Sequence, residues 1–234
     1  MTLNVLFVHG IGNHKKDYAQ STIEALREEL GTRTADQIYW SSVTWGADMD
    51  SRQNHVMNRA IAGGDLDWQD MRREYIIGGL GDACAYLGDM RAQQAAMDHV
   101  EEAMDALPNQ PTVVLCHSMG CAVMMDYLWY TDTPAQCAIL FGCNLPLFWL
   151  AQRPGRLRLP QIDRVYNLYD SDDLLAYPLK NHSDQTQDWV TGDYRISTGT
   201  VLGAHTGYWT DGDFVSWVSK CLKRELRIVE KNHG

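Results

Sequence analysis

The sequence predicts an α/β fold: a mostly parallel central sheet with helices on both faces and a helical insertion. Three observations carry this prediction. Short apolar, β-branched runs alternate with stretches of helical periodicity, the pattern of strand–helix–strand units. The run Thr112-Val113-Val114-Leu115 ends abruptly, and a helical pattern begins at Met119, so a strand turns sharply into a helix. At 234 residues and 45% hydrophobic content, the chain can bury a good core as one domain, 1–234.

The elements follow in order. Leu3-Asn4-Val5-Leu6-Phe7-Val8 has the pattern of a buried strand and empties into His9-Gly10-Ile11-Gly12-Asn13-His14. Tyr18 to Leu30 reads as an amphipathic helix, with Ile23, Leu26 and Leu30 at helical spacing and Gly31 placed to cap it. Ile38 to Trp45 is a second strand. Gly46 to about Pro108 is mostly helical and longer than one crossover helix requires. It divides into an insertion at about 46–90 and a crossover helix, Met90 to Leu107. A mobile lid and a pair of extra scaffold helices both fit the insertion, because helical pattern alone does not say where a helix docks. Met119 to Tyr130 is a helix. Gln136 to Phe141, Arg164 to Tyr169 and Tyr194 to Ser197 are further strands. Asp211-Gly212-Asp213 is placed to cap a closing helix whose apolar positions include Phe214, Val215, Trp217, Val218 and Leu222.

The strand–helix turn puts Ser118 above a sheet edge. A free hydroxyl is a poor nucleophile at neutral pH and needs a base. The chain supplies one in order. An acidic turn, Asp170-Ser171-Asp172-Asp173, follows one strand, and a glycine-bracketed histidine loop, Gly203 to Trp209, follows the last. Ser118 is expected to attack a carbonyl, and His205 to take its proton and return it to the leaving group. An aspartate only has to orient the imidazole and stabilise its cation, so Asp170, Asp172 and Asp173 all remain open from position alone. Gly10 and Gly12 allow close backbone approach at the other end of the site. The N–H groups of Ile11 and Met119 are the expected oxyanion donors.

Together these residues resemble the α/β-hydrolase family, in its lipase and carboxylesterase-like branch. The resemblance rests on His9-Gly10-Ile11-Gly12 as the oxyanion loop, Cys116-His117-Ser118-Met119-Gly120 as the nucleophile elbow, Asp173 in the acid turn and His205 in the histidine loop. Asp173 is favoured because Leu174-Leu175-Ala176 after it is similar to the family's D-P-V-A turn. The elbow departs from G-x-S-x-G in one place: Cys116 holds the first glycine position, where a small residue is needed. The resemblance implies a carboxyl-ester hydrolase working through Ser118, His205, Asp173 and an acyl-enzyme, with no cofactor. A thioesterase or amidase would use the same constellation, and a non-catalytic binding module could share the fold. The segment from Gly142 to Leu150 is expected to wall the substrate cleft with Leu145 and Phe148; His9, Gly10 and His117 are the other expected substrate contacts.

Other classes are disfavoured. A net charge of −10 and a pI near 5.1 do not suit a nucleic-acid surface, which needs clustered Lys and Arg. The acid turn lacks the D-x-[DN]-x-[DN]-G pattern of a calcium loop. His9, His14 and Asp17 lack the spacing of a metal site, so no metal is expected. Phe148-Trp149 followed by Arg153, Arg156 and Arg158 fits either a cleft wall or core aromatics with a solvated rim, and a membrane-surface contact is not the expectation. The first residues enter a core strand without a basic leader, and the six cysteines lack C-x-x-C spacing. A cytoplasmic protein with reduced thiols, acting on a small-molecule ester, is the expectation.

Overall fold

Among the described residues, six strands form one sheet: β1 (Leu3–Val8), β2 (Ile38–Val43), β3 (Thr112–His117), β4 (Ala135–Phe141), β5 (Ile162–Tyr169) and β6 (Gly192–Arg195). Their order is β2-β1-β3-β4-β5-β6, and every neighbouring pair is parallel. The computed structural model describes residues 2–10, 17–45, 86, 88–146, 161–180, 189–199 and 203–233. The expected insertion lies outside these residues as far as position 85, and so do Ile11, His14 and Phe148.

The helices are α1 (Gln20–Leu30), α2 (Thr32–Ala35), α3 (Met90–Asp105), α4 (Met119–Thr131), a single turn α5 (Ala204–Gly207) and α6 (Gly212–His233). Two apolar cores sit on opposite faces of the sheet. Leu6, Val8, Val114, Cys116, Ala138 and Leu140 pack with α3 and α4, while Val5, Phe7, Val113, Leu115, Ile139 and Phe141 pack with α1 and α6. Because both faces are covered, β1 and β3 are buried along their whole length, and their sequences are mostly apolar on both faces rather than alternating. Among the described residues no helix is long and apolar enough to cross a membrane.

Most expected boundaries lie within two residues of the observed ones. The last strand is displaced by two residues at both ends. It begins at Gly192 rather than Tyr194, because Thr191 N–H already bonds Val165 O at 2.8 Å and Gly192 pairs with Tyr166. Gly192 and Asp193 read as breakers in sequence, yet the Tyr194 ring covers the glycine face: a Cβ there would lie 3.0 Å from that ring. The histidine loop is also more regular than expected, since His205 sits inside the helical turn α5. Gly31 ends α1 as expected, with φ 78°. Asp211 caps α6, its carboxylate accepting from Phe214 N–H at 2.8 Å.

Candidate active site

The strand–helix turn after β3 is tight because α4 has to start against β1. A Cβ on Gly120 would lie 2.3 Å from His9 O, so only glycine lets the first turn of the helix approach that closely. Ser118 absorbs the sharp turn. It has φ 52° and ψ −124°, in a region costing non-glycine residues about 1–3 kcal/mol. Its N–H bonds Phe141 O at 3.0 Å and its carbonyl accepts from Cys121 N–H at 3.0 Å, so the strained backbone is held on both sides. Gly10 lies directly against it; a Cβ there would come within 2.8 Å of Ser118 Cβ. Cys116 is fully buried, and burial pushes its thiol well above the usual cysteine range, so it acts as a small apolar residue at the elbow.

Ser118, His205 and Asp173 form a continuous hydrogen-bonded chain. His205 Nε2 lies 2.8 Å from Ser118 Oγ. Its Nδ1 lies 3.0 and 2.9 Å from the two oxygens of Asp173. A carboxylate only accepts, so these contacts assign the proton to Nδ1 and leave Nε2 free to accept from the serine. Asp173 is 3% exposed and Ser118 2%. Of the three neighbouring aspartates, Asp173 is the one that reaches the imidazole. Asp172 is exposed, and its N–H bonds Asp170 Oδ1 at 2.9 Å.

Asp170 occupies a second position behind this chain. Its Oδ2 accepts from Thr198 N–H at 2.6 Å. The Thr198 hydroxyl places its single proton between Asp170 Oδ2, 3.0 Å away, and Ala204 O, 2.8 Å away, which ties the acid turn to the residue before His205. Burial opposes ionisation of Asp170, but the N–H groups of Thr198 and Asp172, the Thr198 hydroxyl and the Arg195 guanidinium outweigh it and hold the carboxyl below the usual aspartate range. Gly207 completes the clamp, since a Cβ there would lie 2.4 Å from Thr198 O.

The remaining expected residues take varied places. His117 Nε2 donates to His205 O at 2.7 Å, and its ring lies 5.0 Å from that of His205. His9 is buried and stacked on Trp45, with 5.3 Å between centroids; Trp45 N–H bonds its Nε2 at 3.2 Å. His9 thus anchors the chain leaving β2 to the loop leaving β1. Met119 is the first residue of α4, so its N–H lies outside the helix's own ladder and sits beside the nucleophile candidate. Leu145 is buried beyond the end of β4. The tyrosine at 208 carries no sequence pattern of its own, yet its hydroxyl lies 3.1 Å from Asp173 Oδ2.

Among the described residues, Cys137, Cys221 and Glu225 are the one group whose ligand atoms lie within 4.8 Å of one another. Glu225 is already engaged by Arg164 at 2.7 Å, by Arg224 at 3.1 Å and by Gln136 at 2.9 Å. Two guanidinium groups in that position oppose a bound cation.

Among the described residues, a parallel sheet carrying a serine on a positive-φ strand–helix turn, with acid and histidine following in order, defines a class of α/β proteins. The solved structures with this architecture place the chain: it has the α/β-hydrolase fold. ClbQ from the colibactin NRPS/PKS pathway matches with a TM-score of 0.56 at 10% identity, covering 97% of this chain and 100% of its own. Esterase PE8 matches at 0.53 and 13% identity, covering 95% and 92%. A YdeN-like hydrolase from Pectobacterium atrosepticum matches at 0.52 and 11% identity, covering 96% and 92%. No protein-family model and no curated protein sequence matches the chain significantly.

Proposed function

We propose that this protein is a serine hydrolase cleaving a carboxyl ester through an acyl-enzyme. The observation that carries the proposal is the unbroken chain Ser118 Oγ–His205 Nε2, 2.8 Å, and His205 Nδ1–Asp173, 2.9 Å. Its strained nucleophile turn supports the same reading, because strain at a serine is a cost that a plain turn would shed. Among proteins of like fold, PE8 is described as an esterase and the Pectobacterium protein as a hydrolase.

In the proposed reaction Ser118 Oγ attacks the ester carbonyl carbon while its proton passes to His205 Nε2. Asp173 keeps the imidazole in the Nδ1–H form and stabilises the imidazolium. The carbonyl oxygen becomes an anion, held by the N–H of Met119 and by that of Ile11, which lies outside the described residues. His205 then protonates the departing alkoxide, leaving the acyl group on Ser118. Water attacks this acyl-enzyme with His205 again as base, and the acid leaves.

Fluorophosphonate labelling with peptide mapping tests the proposal. Wild-type protein should label at Ser118, Ser118→Ala should not label there, and His205→Ala should label far more slowly. A p-nitrophenyl ester series, run beside thioester and amide analogues, then ranks the bond classes. A folded wild type that fails to label, or labels elsewhere, contradicts the proposal and favours a non-catalytic module.

A further inference from the structure

Tyr208 is fully buried between β4, α6 and the histidine turn. Its ring centroid lies 5.9 Å from that of Phe141 and 6.5 Å from that of Phe214. The space for it exists because position 142 is glycine, at φ 57°; a Cβ there would lie 3.1 Å from the ring. A phenol in so apolar a place must find partners for its oxygen. It finds two in the acid turn. Asp170 N–H donates to it at 2.8 Å, so the single phenol proton is left for Asp173 Oδ2, 3.1 Å away. Burial, and then the charge of Asp173, push the Tyr208 hydroxyl far above the usual phenol range, so it is a neutral donor at every pH at which the protein works.

The consequence is a complete set of acceptor contacts on Asp173. Oδ1 takes Leu175 N–H at 2.9 Å and faces His205 Nδ1. Oδ2 faces the same Nδ1 and takes the tyrosine. The carboxylate is therefore gripped on both sides of its contact with the imidazole, and it cannot rotate without breaking a buried bond. The ionisable groups around this point are Asp173, Asp170, His205 and His117, with Arg195 acting on Asp170 from β6.

We infer that Tyr208 is a positioning residue for the proposed reaction: its hydroxyl fixes the orientation of the Asp173 carboxylate and draws off part of its charge, so tuning the base His205. The inference rests on the hydrolase reading above, and it names a control on that site which neither the elbow motif nor the order of serine, aspartate and histidine contains. Tyr208 does not touch substrate in this role. Its removal should therefore lower the rate of the chemical step and leave KM unchanged. With the phenol proton gone, Asp173 bears more charge and favours the protonated imidazole more strongly. The acid limb of the pH–rate profile, on which the base becomes protonated, should move to higher pH.

The test compares wild type, Tyr208→Phe and Glu225→Ala. Glu225 lies at the far end of the sheet and serves as a variant that loses stability without touching Asp173. Fluorophosphonate labelling of Ser118 is followed against pH, and the low-field proton resonance of the His205–Asp173 contact is recorded for each. Tyr208→Phe should label about tenfold more slowly, the value of one hydrogen bond to a charged group. Its acid limb should lie at higher pH and its low-field resonance should shift, while Glu225→Ala keeps the wild-type rate, limb and resonance despite a lower Tm. A Tyr208→Phe variant that loses only Tm, with limb and resonance unmoved, overturns the inference and makes the tyrosine a packing residue. A wild type that does not label overturns the hydrolase reading instead; the resonance then still decides the positioning claim by moving or staying.

Discussion

At the carboxyl end of the sheet Asp173 meets the imidazole of His205; at the amino end Glu225 meets the guanidinium of Arg164. Both carboxylates are buried, at 3% and 0% exposure, and both are gripped by several donors. The partners differ. Arg164 stays charged at any accessible pH, and its link to Glu225 ties β5 to α6, with Gln136 from β4 bonded to the same oxygen. The partner of Asp173 is an imidazole, a kind of group that can hold or release a proton near neutral pH, and its other nitrogen faces a serine hydroxyl. The same burial of a carboxylate thus makes a fixed clamp in one place and, in the proposed reaction, part of a proton relay in the other. The placement agrees with the general behaviour of open parallel sheets, in which ligands bind outside the carboxyl ends of the strands.

That contrast can be broken most sharply at the serine. Ser118→Ala or His205→Ala should lower ester turnover by about 10⁴-fold or more with little change in Tm, because neither side chain carries the core. Asp173→Asn should cost about 10³–10⁴-fold in kcat, since an amide can hold the wrong imidazole tautomer. Asp170→Asn is the companion measurement. It weakens the Thr198 clamp and should act first on Tm, so a larger rate loss there than in Asp173→Asn would reverse the assignment of the two carboxyls.

The amino end should respond in the opposite way. Glu225→Ala leaves Arg164 and Gln136 without their shared acceptor and should cost about 3 kcal/mol of stability, at the low end for a buried pair because the Arg164 side chain keeps 23% exposure. Urea unfolding measures that loss, and kcat should stay near wild type. A rate loss equal to that of Asp173→Asn would show that the two ends are not functionally separate.

A half-buried carboxylate gives an effect confined to one pH window. Asp126 on α4 accepts from the Tyr86 hydroxyl at 2.7 Å. Burial raises its pKa to about 6 from 3.8, against a smaller lowering by that hydrogen bond. Between those values the folded protein holds a proton that the unfolded chain has released, so stability falls as pH rises through the window. Asp126→Asn should remove this loss: equal stability near the bottom of the window, and a gain of up to about 3 kcal/mol at neutral pH. Thermal unfolding of both proteins at the two pH values checks the sign. Asp170, whose pKa is lowered, contributes in the other direction and loses its share as the pH falls through its folded value.

Much of this was legible in the chain itself. The apolar runs of β1, β3 and β4 read as strands because both faces of each are covered, and the glycine at 120 marks the crowded start of α4. The order of Ser118, Asp173 and His205 is a local property of three strand ends, so it too is visible. The contacts that hold them are not. Tyr208 meets Asp173 across 35 positions and His117 meets the His205 carbonyl across 88, and no pattern of spacing encodes such pairs. Nor does spacing separate Asp170 from Asp173, because two carboxylates three residues apart on one turn differ only in which way the turn aims them. The start of β6 is hidden in the sequence for a related reason: Gly192 and Asp193 have poor strand propensity, and pairing with β5 overrides it.

Trapping the acyl-enzyme tests the central claim most directly. The protein would be mixed with a p-nitrophenyl ester, quenched in acid during turnover and digested for mass spectrometry. An acyl group is expected on the peptide carrying Ser118, absent in Ser118→Ala and formed far more slowly in Asp173→Asn. Turnover with Ser118 unmodified, or with the acyl group on another residue, would contradict it.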